Sequence, residues 1–202
     1  AMSADYEVIS EEVDGTRVNS YYRSAQPTGG ELALRYAADA LRVFNERFGS
    51  YPYAELDVVA TPTNAGGIEY PGAIVVAQSL YDEEGGFFEL ATAHEVAHQW
   101  WYGLVGNDQA GEPWLDEALA TYSELLFYER SYPDLANWWW FYRINYFNPQ
   151  GLINSPLYEF GSFKPYWYAV YMRGALFLRD LRAQIGDEAF FTFLQLLLFS
   201  LH

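Results

Sequence analysis

His94-Glu95-Val96-Ala97-His98 sets two imidazoles four positions apart, with a carboxylate directly after the first. On a helix such positions share one face, so both imidazoles reach toward a single ion, and Glu95 projects beside them to take a proton from water. The chain has 3 histidines, and the third is the terminal residue, so this segment holds every internal imidazole. Two unrelated surface histidines are the competing reading of those five residues. A catalytic zinc also needs a third protein ligand and an open position. Glu117, in Trp114-Leu115-Asp116-Glu117-Ala118, provides a carboxylate one helix end and one loop downstream. The expectation is one zinc per chain on His94, His98 and Glu117. Nearby, Glu124 falls on the same helical face as Glu117. For both Asp116 and Glu124, a hydrogen-bonded partner of a ligand and a solvated carboxylate stand as equal alternatives.

The elements that must position these residues follow from periodicity. Residues 5–22 alternate loosely around Asp14-Gly15 and read as a strand pair. Thr28-Gly-Gly-Glu31 has capping-box spacing ahead of an apolar helical face from Ala33 to Phe48, which Gly49 stops. Glu55 to Ala60 and Ile74 to Ala77 are short β-rich runs. Helices are predicted from about Phe87 to Tyr102, Trp114 to Arg130 and Leu135 to Phe147. Residues 148–165 read as a long loop, and helices return over about Tyr168 to Gln184 and from Asp187 to the end. Strands come early and helices late, which predicts an α+β fold: a small mixed sheet at the N-terminal side, then a mostly helical part.

Composition bounds the function. With 202 residues and 51% hydrophobic content, the chain can bury one substantial core, and residues 1–202 are expected to form a single domain. A net charge of −16 argues against nucleic acid and anionic membrane surfaces as partners, since both demand a basic footprint. The absence of cysteine removes disulfides and thiolate metal sites from consideration. No membrane-spanning stretch or signal peptide is legible. Ala1-Met2 reads as a cloning remnant, and the chain as part of a longer protein. The nearly unbroken apolar run Phe190 to Leu201 reads as a face needing a cover from flanking domains.

At this point the sequence resembles the aminopeptidase N-like family of zinc aminopeptidases, gluzincins with a thermolysin-like catalytic domain. The resemblance runs from about Tyr51 to Phe190 and rests on four segments in the family's order. His94 to Trp101 (HEVAHQWW) resembles its HExxH with trailing aromatics, and Trp114 to Ala120 (WLDEALA) its glutamate-ligand segment. Gly66 to Tyr70 (GGIEY) is similar to its exopeptidase motif GxMEN, with Ile68 for Met and Tyr70 for Asn. Tyr171 to Ala175 (YMRGA) is similar to YEKGA, with Met172 and Arg173 replacing Glu and Lys.

The resemblance implies a zinc-dependent aminopeptidase acting on peptides with a free N-terminus. Glu95 would be the general base, Glu69 would bind the substrate's α-amine, and Tyr171 would stabilise the tetrahedral intermediate. Tyr166 and Tyr168 are rivals of Tyr171. The extended segment around Glu69 could also pair with the substrate backbone as an added strand. Two alternatives remain: a zinc endopeptidase of the same fold, and a zinc-bound scaffold with little catalysis.

Overall fold

The computed structural model describes residues 5–199. Ala1-Met2, the terminal histidine and Leu201 at the end of the apolar run lie outside them. The described chain divides into two compact units, residues 5–46 with 50–99, and residues 47–49 with 100–199.

The first unit is built on a five-stranded mixed sheet in the order β1-β2-β3-β5-β4. Strands β1 (Tyr6–Val13) and β2 (Thr16–Arg23) form the expected hairpin. It closes through Asp14 and Gly15, both at positive φ, a turn geometry that follows the twist of paired strands. β2 then runs parallel to β3 (Glu55–Thr61), and β3 parallel to β5 (Ala73–Ala77). Along β3 burial alternates, with Leu56, Val58 and Ala60 inside, the period-two pattern of a strand with one covered face. β4 (Gly67–Tyr70) pairs antiparallel with β5 and ends the sheet as an edge strand.

Helix α1 (Pro27–Phe48) buries the stripe Ala33, Ala37, Ala40, Leu41 and Phe44. It begins one residue before the expected cap: Pro27 opens the helix and Thr28 lies inside it. Proline suits the first turn, where its missing N–H costs nothing. Gly49 at φ 114° provides the expected stop.

The second unit is helical. Its longest element, α3 (Trp114–Ser131), matches expectation. The aromatic stretch that reads as one helix is instead a series of short turns. A 3-10 turn (Pro133–Leu135), α4 (Ala136–Trp139), a π-helical turn (Trp140–Ile144) and a 3-10 turn (Asn145–Phe147) follow one another. Likewise the helix expected near Tyr168 begins earlier, as α5 (Phe163–Tyr166), passes through a π-helical segment (Trp167–Arg173), and continues as α6 (Gly174–Ile185). α7 (Asp187–Phe199) buries Phe190, Leu194 and Leu198 and exposes Phe193 and Leu196. Among the described residues no helix is long and apolar enough to cross a membrane.

Candidate metal centre and active site

In the first unit the site begins with α2 (Gly86–Ala97), which starts from Gly85 and Gly86, both at positive φ. Every residue from Phe88 to Ala97 is buried, so this helix is enclosed all round and shows little amphipathic contrast. The helix ends five residues earlier than the sequence suggests: it stops at Ala97, with His98 as its cap residue. Beyond it the chain turns, the Trp100 carbonyl accepting from the N–H groups of Leu104 and Val105, and Tyr102 reaches φ 103°. Ending there does not spoil the pairing of His94 with His98. The Nε2 atoms of the two imidazoles lie 3.1 Å apart, and both rings are buried. Two nitrogens bound to one tetrahedral zinc, each at roughly 2.0–2.1 Å, stand about 3.3 Å apart, so the pair fits a shared ion.

Glu95 is buried as well, and its carboxyl packs against the backbone of Gly67 in β4. Any Cβ at position 67 would overlap the Glu95 side chain. Residues two apart on a strand share a face, so half-buried Glu69 lies on the same face of β4 as Gly67, the one turned to Glu95. Gln99, which sequence reasoning did not single out, fixes this arrangement. Its side chain donates to the Tyr70 carbonyl (3.0 Å) and accepts from the Gly72 N–H (2.8 Å) and the Tyr51 hydroxyl (3.1 Å). The β4–β5 turn is thereby tied to the residue after His98. The available signal was an uncharged polar residue between the motif and two tryptophans, where an apolar residue would be the ordinary choice.

In the second unit Glu117 lies in the first turn of α3 and Tyr171 in the π-helical segment, and the two hydrogen-bond to each other. Burial pushes the Tyr171 hydroxyl well above its ordinary pKa, and the nearby Glu117 carboxylate adds to the rise. Tyr166 shares a hydrogen bond with Tyr171, its ring edge-on at 5.5 Å, whereas the Tyr168 ring lies under the Lys164 ammonium and tilted against Phe147.

The solvated reading of Asp116 and Glu124 is corrected. Both are buried. Gln109 donates to Asp116 at 2.6 Å. Glu124 takes two bonds from Arg143, each 2.9 Å, and a third at 2.9 Å from the Trp139 indole. Burial pulls the Arg143 pKa down, but the charge and hydrogen bonds of Glu124 more than reverse this, keeping the cation. In the sequence, Arg143 sits amid tryptophans, tyrosines and phenylalanines, and a lone cation there needs an acidic partner.

The family model described as the Peptidase family M1 domain matches residues 32–201. The chain belongs to peptidase family M1. Aminopeptidase M1-A of Oryza sativa subsp. japonica is 28% identical to this M1 domain over 195 residues, 88% of the chain but 22% of the relative. Aminopeptidase M1-B of the same organism is 32% identical over 136 residues, 62% of the chain and 16% of the relative. Among solved structures, the M1 zinc metallopeptidase from Deinococcus radiodurans is 25% identical with a TM-score of 0.72, covering 97% of this chain and 44% of that one. A mutant of that enzyme bound to a Tyr-Ser-Ala substrate aligns with a TM-score of 0.74 at 25% identity, over the same shares. The M1 domain described above is therefore α+β as expected, and spans about a fifth of the length of the curated relatives.

Proposed function

We propose that the chain is the catalytic domain of a zinc-dependent aminopeptidase, acting as one domain with a single zinc on His94, His98 and Glu117. The observation that carries this reading is the pair of buried imidazole nitrogens 3.1 Å apart, beside a buried glutamate, in a chain of family M1. Relatives bearing the name aminopeptidase, and neighbours described as zinc metallopeptidases, support it.

Held by His94, His98 and Glu117, zinc would supply the Lewis acidity that polarises a scissile carbonyl and acidifies water. Glu95 accepts the proton of the attacking water and delivers it to the departing amine. Its burial excludes bulk water, which strengthens every charge interaction in the step. The Tyr171 hydroxyl, kept protonated by its surroundings, donates to the carbonyl oxygen as charge develops there. Glu69 pairs with the substrate ammonium and so sets the first peptide bond in register. As an edge strand, β4 has one side unpaired within the sheet, and an extended substrate can add to it. The exposed Phe193 and Leu196 of α7 fit contacts with further domains of the same protein.

The test compares a leucyl peptide having a free amine with its N-acetylated form, in the longest natural chain carrying these residues. The free-amine peptide is expected to be cleaved and the acetylated one spared. Glu69→Gln is expected to raise KM for the free peptide by about tenfold or more. Cleavage of the acetylated peptide at internal bonds would instead establish an endopeptidase.

A further inference from the structure

The second unit carries a cleft of about 300 Å³ that the proposed chemistry does not use. Two of its walls are the rings of Trp114 and Phe177, edge-on at 6.2 Å, and a third is made by Leu152 and Ile153. Asn154 and Arg173 provide its polar side chains. The loop wall is held in place by Gly151. That residue sits at φ 114°, and a Cβ on it would come within 2.8 Å of the Ala169 Cβ, so the loop lies directly on the π-helical segment. Leu152, at the tip, is 72% exposed.

Arg173 is the telling residue. The chain has 27 acidic residues against 11 basic ones, so a cation held by neither a carboxylate nor a ring stands out; Arg47 and Lys164 lie over the Phe191 and Tyr168 rings. Arg17, Arg42, Arg143, Arg179 and Arg182 all have one. Among the described residues no carboxylate pairs with Arg173, half-buried at the edge of the cleft. A guanidinium beside apolar walls offers two parallel N–H donors to a planar anion. The Asn154 amide, with one donor group and one acceptor, suits a peptide group. The volume and mostly apolar lining are those of a small-ligand pocket.

We propose that this cleft binds the C-terminal residue of a peptide, when that residue is apolar and its α-carboxylate is free. Arg173 takes the carboxylate, Asn154 the preceding peptide group, and Trp114, Phe177, Leu152 and Ile153 enclose the side chain. Arg173, which stands where the related motif has lysine, thereby has a task of its own.

The test is calorimetric titration with N-acetyl-phenylalanine, its C-terminal amide and hexanoate, none of which offers a free amine. The acid is expected to bind, with the amide and hexanoate weaker by about tenfold or more. Arg173→Gln and Leu152→Asp are each expected to cost a similar factor, and binding is expected to survive zinc chelation. Leu152→Asp alters an exposed tip, so it remains informative if Arg173→Gln fails to fold. Equal binding of acid and amide, or acid binding unchanged by both variants, overturns the proposal. So does binding lost on chelation but kept by the variants, which places the ligand on the metal. Hexanoate binding as tightly as the acid overturns the peptide-terminus assignment.

Discussion

Tyr171, half-buried, and Glu89, buried, are both acids, and their surroundings assign them different consequences. Tyr171 stays protonated beside Glu117, which the proposed role of donor to a developing oxyanion requires. Tyr171→Phe is expected to lower kcat by about a hundredfold while KM and zinc content stay close to the parent's. A drop in zinc content of the same size would instead make the tyrosine a support for Glu117. Glu89, in the first turn of α2, has an oxygen with no hydrogen-bond partner among the described residues. Burial raises its pKa to about 7, against the opposing charge of Arg35 and with help from Asp39. Its folded pKa exceeds its unfolded one, so the folded chain holds the extra proton across the intervening window. Stability therefore falls as pH rises from the ordinary carboxylate value through about 7. Glu89→Gln is expected to be more stable than the parent by about 1–2 kcal/mol near pH 8, and to lose that advantage near pH 4. Urea midpoints at the two pH values measure this, and an advantage independent of pH would contradict it.

At the scale of elements, packing decides what side chains the interior tolerates. Gly174 begins α6 where the helix meets Ala118 of α3, and a Cβ there would overlap the Ala118 methyl. Gly174→Ala is accordingly expected to destabilise the fold by about 1–3 kcal/mol although alanine favours helix, as read by urea midpoint. A more stable variant would show that the two helices can separate without cost. The same precedence of packing over local propensity limits what was legible in the sequence. Strands β1, β2, β3 and β5 and helices α1 and α3 stood out, because turn residues and apolar periods mark them. The end of α2 did not, because Gln99, Trp100 and Trp101 continue a helical pattern up to a turn closed by backbone hydrogen bonds. The π-helical turns at Trp140–Ile144 and Trp167–Arg173 fall in aromatic-rich runs, and an i to i+5 bulge leaves no mark on an apolar period of 3.6. Of the candidate site, the HExxH imidazoles, Glu95 and the carboxylate of Glu117 were apparent from residue type and spacing. Glu69 and Tyr171 needed family resemblance. Gln99 and Arg143 went unseen because their partners are distant in sequence.

For the molecule as a whole, membership of family M1 joins the site residues into one account. A buried glutamate beside two converging imidazoles is the arrangement that the proposed zinc-dependent hydrolysis requires. The chain covers 22% of Aminopeptidase M1-A, and turnover is best measured on the longest natural chain that carries these residues. In the proposed zinc-dependent hydrolysis Glu95 moves the proton. The direct measurement is hydrolysis of leucyl p-nitroanilide by that chain and by its Glu95→Gln variant, with zinc content read in parallel. Cleavage by the parent is expected, with a rate reduced by about a hundredfold or more in the variant and about one zinc in each. A zinc-loaded parent without activity, or a variant as active as its parent, would contradict it.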